Sequence, residues 1–239
     1  MLQAETMVRG GMYKDALRLL AGYRPDANHP DETVRKLAIE AGALARQQQL
    51  SAAHQGLTQA EGLCKSADYP SCGYVLRTRG ILAGMQGQFS AARQYYLESL
   101  LFARAHQDRW AEVGALNNLG FAEMQLGRFD EALDWLNSAH RETVELGSDY
   151  WTQLVVANLG WAYYKLGDDE RALELFLEAE KTAAKLGDIR LELKETFALN
   201  SNGSVMPGLS ITIKAICPVP RNPIARLSIW QGRSTARKT

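Results

Sequence analysis

The chain has 239 residues, with 27 basic and 27 acidic side chains, 46% hydrophobic and 23% charged. That balance fits an ordinary globular protein built as one large domain or one repeat array. No apolar run nears the ~18 residues that span a bilayer, and residues 1–20 lack the basic-then-apolar order of a secretory leader. Three cysteines (Cys64, Cys72, Cys217) are too few for a disulfide framework, so incidental thiols in a reducing cytoplasm are expected.

In chain order, one pattern returns. Ala16 with Leu20 is followed by Ala53, Leu57 and Ala60. Three fuller copies come next: Gly80, Gly87, Ala92, Tyr96 and Ser99; Gly120, Gly127, Ala132, Leu136 and Ala139; and Gly160, Gly167, Ala172, Phe176 and Ala179. The alanines Ala16, Ala53, Ala92, Ala132 and Ala172 are separated by 37, 39, 40 and 40 residues. Such a register marks a repeat architecture. Each unit reads as two helices. Over Arg109–Leu126, Val113, Leu116, Leu119, Ala122 and Met124 recur near a 3.6 period, and Phe129–Leu146 repeats it with Ala132, Leu133, Leu136 and Ala139. Gly127 is the break between them. The small residues mark where paired helices approach closely.

A large apolar residue, Leu-Gly three positions on, an aromatic, a small Ala and then an aromatic or Leu resemble the tetratricopeptide repeat. Residues 151–179 match best, through Asn158-Leu159-Gly160, Tyr163-Tyr164, Gly167-Asp168, Ala172 and Phe176. The resemblance covers roughly residues 2–199. It departs in its 40-residue period and in the missing proline after the second helix, where Val144 and Ala184 stand. Long-period arrays of this kind are similar to those of kinesin light chains, bacterial transcription regulators and CHAT-domain proteins. HEAT repeats share the period, but the Asn-Leu-Gly, Gly-Asp, Ala order favours the tetratricopeptide reading. The resemblance implies an all-α fold, an α-solenoid of antiparallel helix pairs in a right-handed superhelix, over residues 1–199. Ala4 takes the place of Gly80 in the first unit, so that unit reads as truncated, with an upstream segment expected. Uncapped ends offer a route to self-association.

Residues 200–239 differ in kind: they hold Lys214, Arg221, Arg226, Arg233, Arg237 and Lys238, no acidic residue, and four of the seven prolines. They read as an irregular tail, disordered or shifted out of frame. When the third base of each codon is joined to the first two of the next, residues 202–235 admit the Asn-x-Gly, Tyr-Tyr, Gly-Asp, Arg-Ala order of the run from Asn158. A sixth repeat is due at this point.

No catalytic set stands out. His29, His54, His106 and His140 lack metal-ligand spacing, and Gly10-Gly11 lacks the lysine of a phosphate loop. No cofactor or metal is expected, and the chain reads as a non-enzyme. In the resembled family, partners meet exposed residues of the first helix in each unit. These lie three before, one after, and four and five after the Gly80 position. Here they are Arg77, Ile81, Gly84 and Met85; Asn117, Phe121, Met124 and Gln125; and Ala157, Trp161, Tyr164 and Lys165. With only Arg77 and Lys165 basic among them, a groove for acidic C-terminal tails is not expected. The expected function is a scaffold that binds a peptide or protein segment, with neither nucleic acid nor membrane as partner. The alternative is the regulatory or sensor region of a larger effector, a CHAT-type cysteine peptidase or a signal-dependent transcription regulator. Resequencing the gene across codons 195–205 tests the tail: a single-base indel is expected, and an intact frame makes the basic tail native.

Overall fold

The computed structural model describes residues 1–9, 11–65 and 67–185, together with five short strands between residues 193 and 229. Ten helices make up the described body: α1 Leu2–Arg9, α2 Tyr13–Gly22, α3 Pro30–Arg46, α4 Leu50–Cys64, α5 Cys72–Met85, α6 Phe89–Ala105, α7 Arg109–Gln125, α8 Phe129–Glu145, α9 Asp149–Leu166 and α10 Asp169–Lys185. The chain divides into two compact units: α1 to α7 belong to the first, and α8 onward to the second. The fold is all-α, with helix pairs stacked as in a repeat solenoid. Helices α7 and α8 each fall within one residue of the expected bounds. The strands β1 Leu193–Glu195, β4 Leu209–Ile211 and β5 Leu227–Ile229 pair antiparallel in that order, and β2 Ala198–Leu199 pairs with β3 Val205–Met206. The sequence reading places residues up to 199 in the helical array, so β1 and β2 depart from it, and it expects an irregular tail after that; most of residues 200–239 lies outside the described residues.

The first unit buries Val34, Ala38, Ala41, Ala45, Ala53, Leu57, Ala60, Val75 and Leu82 in one cluster, and α1 and α2 close on α3 through Ala4, Leu20 and Ile39. The spacing of small residues has the expected steric reason. A Cβ on Gly80 would overlap the Tyr96 ring, so the aromatic of α6 lies directly on the backbone of α5. The second unit repeats the device with Gly160, where a Cβ would stand 3.0 Å from Phe176 and 3.2 Å from the Ala172 carbonyl.

Local signals set the helix ends. Asp108 accepts from the Ala111 amide at 2.9 Å and Ser148 from the Trp151 amide at 3.3 Å, each capping an orphan donor of α7 or α9. Gly167, at φ 83°, ends α9 in the left-handed region that glycine enters without penalty. Gln107, at φ 56°, serves the same turn after α6, at a cost of about 1 kcal/mol for a side chain in that region.

Cys64 and Cys72 form a disulfide, eight residues apart with Cα atoms 5.9 Å from each other. This corrects the expectation of incidental thiols. The loop from α4 to α5 folds back so that the last residue of one helix meets the first of the next. Asp31 pins the same loop, accepting from the Ser71 amide at 2.8 Å and from its hydroxyl at 3.0 Å. Polar ties also join successive helices: Arg79 of α5 donates to Glu61 of α4, and Arg93 of α6 to Glu123 of α7, each at 2.5 Å. Glu123 is only 1% exposed and also pairs with Arg128 at 3.4 Å.

Two stability changes follow. Gly160→Ala should destabilise the second unit by about 2 kcal/mol, since a rigid ring and a carbonyl must move; an unchanged chemical denaturation midpoint would contradict the packing account. Gln107→Gly should stabilise by roughly 0.5 kcal/mol, strain relief exceeding the added entropy of the unfolded chain, as a rise in thermal midpoint.

Candidate functional site

A cleft of about 80 Å³ opens on the first unit, lined by Glu5 and Val8 of α1, Ala38, Ile39, Gly42 and Arg46 of α3, and Tyr74, Arg77, Thr78 and Ile81 of α5. These positions follow the repeat. Arg77 and Ile81 are the groove residues expected three before and one after Gly80. The same offsets counted from Ala41, which lies 39 residues earlier, give Ala38, Gly42 and Arg46. Counted from Ala4 they give Glu5 and Val8. The first helices of three successive units therefore line one surface with equivalent positions. Arg46 and Glu5 escaped the sequence reading because the offsets were applied only to the three well-preserved units.

Charge and ring contacts organise this cleft. Arg35 donates to Glu5 at 2.7 Å, and Glu5 is 6% exposed. That hydrogen bond holds the Arg35 guanidinium more firmly protonated than usual, against the effect of burial. Two guanidinium groups lie against the Tyr74 ring, Arg77 at 4.9 Å and Arg35 at 5.2 Å from its centroid. Burial pushes the Tyr74 hydroxyl up from its ordinary value, in opposition to the Arg77 charge. It stays a neutral phenol and donates to Asp108 at 3.4 Å. Arg46 donates to the Tyr13 hydroxyl at 3.4 Å.

Elsewhere the expected residues divide. Met85 packs against the core cluster of the first unit and does not line the cleft. Asn117 and Met124 of α7 are each 5% exposed, which corrects their placement on an open groove face: they support α7 from within. Gly84 and Ala157 are buried too, while Phe121 is half-buried and Gln125 exposed. In the second unit, Trp161 and Tyr164 stack at 5.7 Å with an interplanar angle of 27°, and the Lys165 ammonium lies 4.9 Å from the Trp161 centroid. Both rings also pack against Ala172 and Phe176. The three expected residues of α9 thus form a ladder of cation, indole and phenol, with its base in the core.

Among the described residues, no group of three or more His, Cys, Asp or Glu side chains is placed to hold a metal ion. No described helix is long and apolar enough to cross a membrane.

Residues 112–185 match the family model of the tetratricopeptide repeat. A curated relative, heat shock protein STI1 of Saccharomyces cerevisiae, is 30% identical over 124 residues, which are 50% of this chain and 20% of that protein. Among solved structures, a Rap protein complexed with competence and sporulation factor superposes with a TM-score of 0.68 at 17% identity, over 78% of this chain and 53% of that one. A STAND protein with a tetratricopeptide-repeat sensor from Pyrococcus horikoshii gives 0.63 at 16% identity, over 80% and 30%. The Rap conjugation gene regulator of plasmid pLS20, in complex with the Phr* peptide, gives 0.62 at 19% identity, over 78% and 50%. This chain thus spans a fifth to about half of the length of these proteins, and the structural likenesses show the fold.

Proposed function

We propose that this protein is a non-catalytic interaction scaffold that holds an extended peptide or protein segment in the cleft formed by α1, α3 and α5. One observation carries the reading: equivalent positions of three successive first helices converge on a cleft of mixed character. Its lining combines apolar side chains (Val8, Ile39, Ile81), small residues (Ala38, Gly42) and the polar Arg46, Arg77 and Tyr74. Arginine and tyrosine beside apolar pockets are the residues that dominate recognition surfaces. One structure of like fold, the Rap conjugation gene regulator of plasmid pLS20, is in complex with the Phr* peptide, which supports a short peptide as the ligand class. The Trp161, Tyr164 and Lys165 ladder is a second recognition surface in this reading. A cytoplasmic location belongs to the same proposal.

A second reading has its own support: likeness to the sensor-bearing STAND protein, of which this chain spans 30%, favours the sensor region of a larger effector. A CHAT-type peptidase or transcription-regulator domain encoded downstream would decide for it.

The test is selection of peptides from a random library on the full chain, followed by titration of the enriched sequence. Arg46→Ala and Arg77→Ala should each weaken binding on the order of tenfold, the loss of one charge-assisted hydrogen bond, with little change in thermal midpoint. Trp161→Ala should weaken it only if the ligand reaches the second unit. Unchanged affinity in both arginine variants rejects the cleft.

A further inference from the structure

We propose that the Cys64–Cys72 pair is a thiol–disulfide exchange site whose redox state sets the order of the α5 wall of the cleft. The bond joins the last residue of α4 to the first residue of α5. Tyr74 lies two residues beyond the bridge and Arg77 five, so the bridge anchors the turn that carries both. The two sulfurs differ in access: Cys64 is half-buried at the helix end, whereas Cys72 is 5% exposed and belongs to the core cluster with Val34, Ala38 and Val75.

The geometry directs the chemistry. A dithiol reductant attacks the Cys64 Sγ as its thiolate, forming a mixed disulfide there. The Sγ–Sγ bond breaks and its electron pair leaves on Cys72, at the N-terminal end of α5, where helix amides stabilise a thiolate. The reductant's second thiol then attacks its own sulfur in the mixed disulfide and releases Cys64. Two electrons and two protons pass to the cysteine pair, and the dithiol is oxidised to its disulfide. A dithiol disulfide, or oxidised glutathione, reverses the exchange.

Opening the bridge leaves the rest of the junction in place. Arg79 remains bonded to both carboxylate oxygens of Glu61 and to the Thr58 hydroxyl. Asp31 still holds Ser71, and the His106 ring nitrogen lies 3.3 Å from Asp68. The array therefore stays stacked while the first turn of α5 gains freedom. A bridge of this kind also reconciles a disulfide with a reducing compartment, where such bonds act in redox sensing.

The experiment uses the full chain carrying Cys217→Ser, so that only the pair is counted, and needs no ligand. Its result is independent of the peptide reading. After equilibration with oxidised glutathione, thiol titration should find no free thiol, and after dithiothreitol, two. Amide exchange over residues 67–78 should then quicken on the order of 50-fold, the closure entropy released by a loop of this length, with α7 unchanged. Cys64→Ser should match the reduced chain with or without dithiothreitol. Two thiols persisting in the oxidant, exchange at 67–78 unaltered by reduction, or an equal loss of protection in α7 would each overturn the proposal.

Discussion

The contact on which this structure turns is an aromatic ring laid on a glycine backbone. Tyr96 over Gly80 and Phe176 over Gly160 bring the two helices of a pair closer than ordinary side chains permit. Ala92 and Ala172 are wholly buried beside those rings, at 1% and 0% exposure. A repeat of two short helices cannot bury enough apolar surface alone, so its stability is shared between the contact within each pair and the stacking on the next. Fixing the first contact fixes the rotation of the first helix about its axis. That rotation decides which positions face the core and which remain for a ligand. The cleft is thus a consequence of the glycine–aromatic packing, since Arg77 and Ile81 flank Gly80 in sequence.

Between pairs, the first unit uses polar and covalent ties where apolar packing alone would leave register loose. Asp31 with Ser71, Arg79 with Glu61, and Arg93 with Glu123 each span 18 to 40 residues, about half a repeat to one repeat. Glu123 is the most constrained of these groups, because a carboxylate 1% exposed is tolerable only with its two arginine partners in place. Helix α7 has buried residues on most of its circumference, Asn117 and Met124 among them, so the groove offsets of the resembled family do not transfer to it.

The fold was legible in the sequence because its signal is redundant. Small residues 40 apart, with an aromatic or leucine four further on, state the packing rule several times over. The cleft was legible in part. Arg77 and Ile81 came from the offsets directly, and Ala38, Gly42, Arg46, Glu5 and Val8 lay one or two units upstream, where Ala41 and Ala4 replace the guiding glycine. Tyr74 lay outside the offsets, since its role comes from its contacts with both Arg35 and Arg77, which belong to different helices. The disulfide had no sequence signal either. Two cysteines eight apart carry no pairing signal of their own, and the Asp31 side chain that holds Ser71, next to Cys72, lies forty residues earlier in the chain.

The arrangement around Tyr74 bears on how a ligand would be held. A guanidinium free in solvent loses considerable rotamer entropy when it is ordered against a partner. Here Arg77 and Arg35 already rest against one ring, and that ring is tethered through its hydroxyl to Asp108, the N-cap of α7. Ordering of this kind before binding lowers the cost of complex formation. It also makes the cleft depend on its tethers: α5 is oriented by the Gly80–Tyr96 contact, and its first turn by the bridge at Cys72. The cleft side chains on α5 therefore depend on contacts made outside the cleft, at the Tyr96 ring and at the α4–α5 junction.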